Sequence, residues 1–390
     1  MKGMKTLRLG RNRRKWIYVL LLMGLLGLSG CGSPSSASVE MSSQTELVKT
    51  GSMELQYAEN FAVDYYEDGY KMLTTLPDSK RYLIVPEGQP VPQGLDEDVS
   101  ILQEPLQNIY LVASGVMDMF ASLDAVDQIR FSGQKQENWY IQTAKDAMAA
   151  GDMIYAGKYS KPDYELLVSE GCDLAIENRM ITHSPEVVEM LQSFDIPVMI
   201  EYSSYEQHPL GKVEWVKFFG ALTGREAEAE EAFAEQTEIL EEVESGEKTG
   251  KTIAFFYVTS NGLIQVRQST DYIPKLIELA GGRYIFEDLE DSGSGRSTLN
   301  MQVEDFYAGA KDADILIYNS SIDGGVTTLD ELIGKCNILK DFKALQEGQV
   351  YCTTNDMYQQ SMAIGYLLQD MHTVLTDDDT AKLRYLFLLQ

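Results

Sequence analysis

Hydrophobic and polar positions follow two different patterns along the chain. Residues 54–85 alternate with period two and are rich in aromatic side chains, and Asp68-Gly69 separates two of these runs. This pattern predicts antiparallel strands joined by a hairpin turn. From residue 108 onward, short apolar runs separate segments whose apolar residues recur every three to four positions. That pattern is typical of strands that alternate with helices, and it favours a largely parallel α/β sheet.

The alternation of strands and helices is interrupted once, near the middle of the chain. Residues 211–222 and 226–243 both have helical apolar spacing, and Thr223-Gly224 lies between them. The second segment is rich in charge and has a narrow apolar stripe, so it could be a bridge between two lobes or a surface helix of a single domain. A second α/β set follows from residue 252.

We therefore predict an α/β protein in which a long bridging helix joins two lobes with largely parallel sheets, preceded by an N-terminal β-hairpin extension. The predicted boundaries are a signal peptide at 1–30, a lipid-anchored tether at 31–52, an N-terminal lobe at 53–206, bridging helices at 207–246 and a C-terminal lobe at 247–390.

The first thirty residues have the pattern of a secretory signal. Seven basic residues and no acidic residue precede or flank the apolar run 16–28, which is too short for a comfortable membrane span. The ending Leu28-Ser29-Gly30-Cys31 resembles a bacterial lipobox, which implies that Cys31 is lipidated and anchors an extracytoplasmic protein to the cell membrane. The alternative is an ordinary signal anchor with a chance cysteine. Residues 32–38 are rich in Gly, Ser, Pro and Ala, as expected for a flexible tether.

Charge and cysteine content exclude several classes of protein. The full chain has a formal net charge of −28, and loss of seven of its 32 basic residues with the signal leaves 25 against 60 acidic residues. Such a surface repels phosphate backbones, so we expect no nucleic-acid partner. Cys172, Cys336 and Cys352 have no CxxC spacing, which argues against a zinc cluster and favours buried free cysteines, although pairing of Cys336 with Cys352 stays open.

Four stretches resemble, in order and spacing, the helical-bridge class of ABC-importer binding proteins, which serve ferric siderophores, haem and cobalamin. The resemblance covers roughly residues 105–390. The stretches are IYLVASGVMDMFASLDAVDQI at 109–129, GKYSKPDYELLVSEGCDLAI at 157–176, VEDFYAGAKDADILI at 303–317 and FKALQEGQVY at 342–351.

The resemblance implies a monomeric solute-binding protein that is not an enzyme and whose partners are the permease subunits of an ABC importer. In this class each lobe offers an acidic residue to arginines of the importer, and the matching positions here are Glu165 and Glu304. Exposed carboxylates can pair bidentately with arginine and fix the docking register. The alternative is that both are ordinary solvated surface residues.

Ligands of α/β lobes bind beyond the carboxyl ends of the strands, and the residues that follow each predicted strand give the candidate lining. They mix aromatic, methionine and amide side chains with a few cations, which suits a large amphipathic ligand. We expect a ferric siderophore first, then a corrinoid or haem, and no other cofactor. The ligand-binding candidates are Ser114, Tyr159, Met180, His183, Tyr205, Asn261, Arg267, Asn319 and Tyr358, with Gly115, Met117, Lys158, Arg179, Ser203, Ser320, Asp356, Met357 and Gln359 beside them.

Several of these candidates have a purely structural alternative. Tyr159 could pack on a surface loop, and Arg267 could lie at the end of a strand instead of gripping a ligand carboxylate. His183 and His208 could ligate a metal or haem iron, but capping of a helix start is the more common role of such a histidine. Met117, Met119 and Met180 could suggest a soft-metal site, but their helical spacing favours core packing.

Three other functions compete with solute delivery. A binding protein for bare zinc or manganese needs a compact set of His and carboxylate ligands, and the three histidines here are scattered. An enzyme is disfavoured because the sequence contains no Gly-x-Ser-x-Gly and no His-Glu-x-x-His motif. A lipoprotein that senses or scavenges a ligand without transport cannot be separated from an importer component by sequence.

Overall fold

A computed structural model describes residues 47–289, 297–320, 325–377 and 380–390. All of them belong to one compact unit, Gln44–Gln390. The predicted signal peptide, Cys31 and the predicted tether up to residue 46 lie outside the described residues.

The N-terminal part of the described chain is a five-stranded sheet. Its first four strands are antiparallel, and the fifth lies parallel to the fourth. The predicted hairpin at Asp68-Gly69 is confirmed, since both residues have positive φ (57° and 83°) between the second and third strands. The extension is larger than a hairpin, and its first strand lies inside the predicted tether. The strands are β1 (Lys49–Ser52), β2 (Phe61–Tyr66), β3 (Lys71–Thr75), β4 (Lys80–Val85) and β5 (Val99–Gln103).

Lobe one, the α/β part that follows, contains a parallel sheet of five strands, as predicted. The sheet and its small neighbouring hairpin are built from β6 (Ile109–Leu111), β7 (Ile129–Ser132), β8 (Ile154–Tyr155), β9 (Gly157–Lys158), β10 (Lys161–Pro162), β11 (Leu174–Asn178) and β12 (Val198–Glu201). The order in the sheet is β12-β11-β6-β7-β8, and β9 pairs only with β10. The helices are α1 (Val116–Ser122), α2 (Gln142–Ala150), α3 (Tyr164–Ser169) and α4 (Pro185–Ser193).

Two helices follow lobe one, α5 (Pro209–Thr223) and α6 (Glu226–Glu244). Gly224 adopts the left-handed conformation (φ 71°) that ends α5, at the break predicted from Thr223-Gly224. Helix α5 is buried on all sides and is mostly apolar, although Lys212, Glu214 and Lys217 are buried with it. Helix α6 buries only a stripe and carries its acidic residues outward. The amphipathic bridge is therefore α6, and α5 is a core element.

Lobe two contains a mixed seven-stranded sheet. Its centre is parallel, with β13 beside β17 and β17 beside β18, whereas β14, β16 and β19 add antiparallel strands. The strands are β13 (Thr252–Val258), β14 (Ile264–Arg267), β15 (Arg283–Tyr284), β16 (Thr298–Met301), β17 (Ile315–Tyr318), β18 (Val350–Thr353) and β19 (Leu386–Leu388). The helices are α7 (Tyr272–Leu279), α8 (Val303–Ala310), α9 (Leu329–Lys335), α10 (Lys343–Gln346) and α11 (Ile364–Thr376).

The N-terminal sheet is fastened to α5 by aromatic packing and by buried carboxylates. Phe61 packs edge-on against Trp215, with ring centroids 5.0 Å apart. The fully buried Glu214 accepts the backbone N–H groups of Tyr57 and Ala58, both at 2.8 Å. Charge-assisted bonds of this kind are among the stronger hydrogen bonds in proteins. One hydrophobic cluster accordingly runs from the N-terminal sheet through α5 into both lobes. No helix in the described ranges has the length and apolar character needed to cross a membrane.

Candidate functional site

The carboxyl ends of β6, β11 and β12 open into a cavity of about 520 Å³. This is the position at which α/β lobes bind their ligands. We call this cavity the cleft. Its first wall belongs to lobe one, its floor includes Lys212 of α5, and its second wall comes from the segment between β18 and α11. The lining residues are Ala113, Ser114, Gly115, Asn178, Arg179, Met180, Thr182, His183, Glu201, Ser203, Ser204, Tyr205, Lys212, Tyr358 and Ser361.

The turn after β11 holds its side chains in place through its own hydrogen bonds. Asn178 caps the short 3₁₀ helix Arg179–His183, because its Oδ1 accepts the N–H of Met180 at 2.8 Å. Thr182 Oγ1 donates to the Arg179 carbonyl at 2.8 Å. Met180 and His183 therefore project from a fixed turn and remain exposed at the cleft. Core packing is confirmed for Met117 and Met119 and is wrong for Met180, which lies in a 3₁₀ turn after β11.

The turn after β12 is organised around a buried carboxylate. Glu201 Oε2 accepts hydrogen bonds from the backbone N–H and the Oγ of Ser203, at 2.9 and 2.6 Å. Burial raises the pKa of Glu201, while the bonds from Ser203 and the charge of Lys212 act in the opposite direction. The Arg179 guanidinium lies over the ring of Tyr205, 4.5 Å from its centroid. This wall of the cleft therefore contains the Tyr205 ring with the Arg179 guanidinium stacked over it.

The second wall reaches lobe one through several direct contacts. Met362 donates its N–H to Asp118 Oδ2 at 2.7 Å. Burial raises the pKa of Asp118 to about 6, with the Met362 bond and Lys212 acting against that rise. Ser361 lies so close to Gly115 that a Cβ on the glycine would come within 2.8 Å of the serine Oγ. Glycine at position 115 therefore lets the two walls approach each other.

Five of the nine predicted ligand-binding residues come together in the cleft. They are Ser114, Met180, His183, Tyr205 and Tyr358. They come from three strand ends of lobe one and from the opposite wall, so residues distant in sequence share one cavity. Residues that follow the lobe-one strands were expected to lie together, and they do. The role of these five residues in ligand binding stays a prediction.

The other four predicted residues lie outside the cleft lining. Tyr159 lies in the β9–β10 turn and packs on the lobe-one core. Asn261 is exposed in the β13–β14 turn, where its Oδ1 accepts from Thr259 Oγ1 at 2.6 Å. Arg267 ends β14 and pairs with the buried Asp271 at 3.4 Å. Asn319 is buried directly after β17. The three lobe-two residues follow strands that end in tight turns or internal pairs, so they do not join the cleft lining, and a role of all four in ligand binding stays a prediction.

The two candidate histidines, His208 and His183, have different positions in the fold. His208 is the N-cap of α5, since its Nδ1 accepts the N–H of Leu210 at 3.2 Å, and its ring stacks on Tyr57 with centroids 4.4 Å apart. Burial lowers the pKa of His208. The capping interpretation is therefore confirmed for His208, while His183 lies in the cleft. Among the described residues there is no group of three or more His, Cys, Asp and Glu side chains arranged to hold a metal ion.

Cysteines and the predicted docking glutamates occupy ordinary positions for their type. Cys336 and Cys352 are both buried and are not joined by a disulfide, and Cys172 forms no disulfide within the described residues. Glu165 and Glu304 are exposed in the first turns of α3 and α8. The structure thus places both carboxylates where a partner could reach them.

Sequence reasoning missed three chemically important lining residues, Lys212, Glu201 and Ser361. The first lies within a helix and was not considered, because only residues after strands were taken as candidates. A signal existed, since α5 carries three charged residues, Lys212, Glu214 and Lys217, among mostly apolar ones, and a buried charge needs a specific environment. Ser361 belongs to a segment predicted as helix, and nothing in its sequence marks it.

Comparison with known sequences gives distant relatives. No family model matches the sequence. Two lipoproteins of Methanocaldococcus jannaschii, both described as uncharacterized, are similar to it along most of their length. The first is 23% identical over 394 residues, covering 92% of each chain. The second is 23% identical over 367 residues, covering 89% of this chain and 90% of its own.

Comparison with solved structures gives the fold. A possible iron-binding periplasmic solute-binding protein of Staphylococcus epidermidis superimposes with a TM-score of 0.54 at 17% identity, covering 69% of this chain and 98% of its own. A periplasmic haem-binding protein of Vibrio cholerae gives 0.54 at 15% identity, covering 68% and 98%. An ABC-type Fe³⁺-hydroxamate transport protein of Saccharomonospora viridis gives 0.54 at 16%, covering 69% and 93%. The resemblance predicted from the sequence is confirmed at the level of architecture, and this protein has the fold of the substrate-binding proteins of iron, haem and siderophore importers.

Proposed function

We propose that this protein is an extracytoplasmic solute-binding lipoprotein that captures a chelated metal or macrocycle in the cleft and delivers it to an ABC importer. A ferric siderophore is the leading candidate, and a corrinoid or haem comes next. ATP hydrolysis belongs to the importer, and this chain supplies recognition and docking.

The observation that carries the proposal is the composition and position of the cleft. Met180, Tyr205 and Tyr358 offer exposed apolar surface inside one cavity, and serine hydroxyls and cations lie among them. Large ligand sites typically combine apolar area with a few convergent polar groups. The similar solved structures named above include proteins whose titles describe iron, haem and hydroxamate binding, which supports a ligand of that size and chemistry.

Membrane attachment and a permease partner are the remaining parts of the proposal. The lipobox-like ending at Cys31 and two archaeal relatives named as lipoproteins support anchoring through a lipid. Glu165 and Glu304, one in each lobe, are the proposed contacts with arginines of the permease subunits. A Cys31→Ser variant should move from the membrane fraction to the soluble fraction, and a variant that stays membrane-bound would contradict lipid anchoring at this residue.

The experiment that tests the proposed function is native mass spectrometry with an absorbance spectrum. The chain from Gly32 is incubated with ferric siderophores, haem and cobalamin in separate samples and then desalted. We expect a coloured complex of one ligand per protein for one of these classes. A folded protein that retains none of them, and retains stoichiometric zinc or manganese instead, would contradict the proposal in favour of a bare-metal binding protein.

A further inference from the structure

Lys212 is a cation in a place where cations are rarely found. It lies on α5, whose residues from Pro209 to Leu222 are all buried, and only 7% of Lys212 is exposed. Burying an ammonium group is costly unless an acceptor or a counter-charge compensates it. The Lys212 side chain also contributes to the lining of the cleft.

Nearby carboxylates do not compensate Lys212 directly. Lys212 lies close enough to Asp118, Glu201 and Asp271 to lower the pKa of each, against the rise that burial causes. Yet no carboxylate of the described residues forms an ion pair with Lys212. Its recorded contact is with the ring of Tyr272, whose centroid is 4.8 Å from Nζ.

Each of those three carboxylates already accepts a hydrogen bond from another donor. Asp118 accepts from the backbone of Met362 at 2.7 Å. Glu201 accepts twice from Ser203. Asp271 accepts from Ile273 N at 2.9 Å and pairs with Arg267. An ammonium group has three N–H donors and no acceptor, so Lys212, a lining residue of the cleft, retains hydrogen-bonding capacity.

A second polar group of the cleft also lacks a partner. Ser361 is 2% exposed, and its Oγ has no hydrogen-bond partner among the described residues. Buried hydroxyls are usually hydrogen-bonded, so an orphan in a cavity points to a group that the cavity binds. The guanidinium of Arg179 lines the same cavity. The cleft of a chain with a net charge of −28 is thus lined by two basic side chains and a hydroxyl without a hydrogen-bond partner among the described residues.

We propose that the ligand carries a carboxylate, and that this carboxylate binds in the cleft to Lys212 Nζ with Ser361 Oγ as a second donor. The inference rests on the proposed function and narrows it to acidic chelates or acidic macrocycles. The apolar part of such a ligand then faces Met180, Tyr205 and Tyr358. Lys212 is a specificity-determining residue in this scheme, because it rejects an otherwise identical ligand that leaves its charge unpaired.

Three pairs of ligands test the inference, and in each pair the acidic member carries one or two carboxylates that its neutral partner lacks. They are haem and its dimethyl ester, N-succinyl and N-acetyl ferrioxamine B, and a cobalamin monocarboxylic acid and cobalamin. Affinities are measured on the full lipid-anchored chain in detergent micelles, with protein-free micelles as the blank. In the pair that binds, we expect the acid to bind at least about tenfold more tightly, the usual scale for a charge-assisted hydrogen bond. Lys212→Met should abolish that preference, and Lys212→Arg should keep most of it.

The outcomes separate this inference from the function on which it rests. Equal binding of acid and neutral ligand, or a preference that survives in Lys212→Met, overturns the carboxylate site and leaves solute binding intact. Failure to bind any of the six ligands overturns the proposed function and this inference together. The comparison within a pair uses the unaltered protein, so misfolding of Lys212→Met would not rescue the inference.

Discussion

The side chain of Gln359, between β18 and α11, forms hydrogen bonds with the lobe-one backbone at Tyr140 and Asn138. Its Oε1 accepts the N–H of Tyr140 at 2.8 Å, and its Nε2 donates to the carbonyl of Asn138 at 2.9 Å. Gln359 is fully buried, and the neighbouring Tyr358 ring meets Tyr140 edge-on at 6.4 Å. The lobes are thus connected by side-chain contacts as well as by α6. We therefore expect ligand binding to change the shape of the molecule only slightly, because a packed helical bridge resists large hinge motion.

Replacing Gln359 with alanine should weaken this connection. The change leaves the Tyr140 N–H and the Asn138 carbonyl without their partner, and we expect the free energy of unfolding to fall by about 1–3 kcal/mol. Hydrogen exchange at the Tyr140 amide should accelerate, and small-angle scattering should report a larger radius of gyration. As a control, Gln265→Ala removes a more exposed glutamine whose bond to Asn300 is superficial, and it should change neither quantity. Unchanged hydrogen exchange at the Tyr140 amide in the Gln359 variant would show that the Gln359 side chain does not hold the second wall against lobe one.

Hydrophobic periodicity predicted the regular elements because local pattern and tertiary packing agree there. The apolar patterns of residues 252–258, 329–335 and 350–353 predict a strand, a helix and a strand, and the structure has these elements with the same bounds. The spacing of residues 358–375 predicts one closing helix, and this prediction is wrong at its start, since α11 begins at Ile364. Residues before it make long-range bonds, notably those of Gln359, and these override local helical preference.

The site was only partly predictable for a related reason. Residues that follow lobe-one strands converge because parallel strands end at one edge, so Ser114 and Tyr205 could be placed from sequence. Lys212 lines the same cleft from helix α5. Its position depends on how α5 packs between the lobes, which the hydrophobic pattern does not show. Arg267 was expected at the ligand, but the buried Asp271 four residues later holds it. Pairing preferences between buried charges are not visible in a hydrophobic pattern.

Charge reversal at Glu165 and Glu304 should block delivery without altering recognition. Both side chains are exposed on separate lobes and lie outside the cleft lining, so Glu165→Arg combined with Glu304→Arg removes only the proposed contacts with permease arginines. We expect uptake in cells to be lost while the affinity of the purified protein for its ligand stays within about twofold.

The matched control for the docking glutamates is Glu189→Arg combined with Asp330→Arg. These residues are also exposed, on α4 and α9, and the replacement changes the net charge by the same amount. Uptake should continue in this control. Normal uptake by the Glu165 and Glu304 double variant would remove both residues from the docking surface.

Glu177 should make the stability of the protein fall as pH rises. This carboxyl on β11 is fully buried, and neither of its oxygens has a hydrogen-bond partner among the described residues. Burial raises the pKa of Glu177 from 4.5 to about 8. Between those values the folded state keeps a proton that the unfolded state has lost, so unfolding releases a proton and the free energy of unfolding decreases by up to about 1.4 kcal/mol per pH unit.

Urea unfolding at several values between about pH 5 and about pH 8 checks this dependence on Glu177. Glu177→Gln has nearly the same shape and cannot ionise, so it should become progressively more stable than the unaltered protein as pH rises. Other titrating groups, including Asp118, are present in both proteins and cancel in the difference. Glu189→Gln, at an exposed carboxyl of α4, should run parallel to the unaltered protein. Parallel curves for Glu177→Gln would mean that Glu177 is already ionised in the folded state.

Aromatic side chains of the cleft should contribute to affinity in proportion to the area that the ligand covers. Tyr205 and Tyr358 are 38% and 39% exposed inside the cavity, whereas Tyr155 is 40% exposed on β8 and outside it. Equal exposure makes Tyr155→Ala a matched control for loss of a surface tyrosine. Covering an aromatic ring removes apolar area from water at about 25 cal/mol per Å², so Tyr205→Ala and Tyr358→Ala should each weaken binding about tenfold. Calorimetric titration with the ligand class identified by native mass spectrometry measures the change. If Tyr155→Ala weakened binding as much as the two cleft variants, the ligand would lie elsewhere on lobe one.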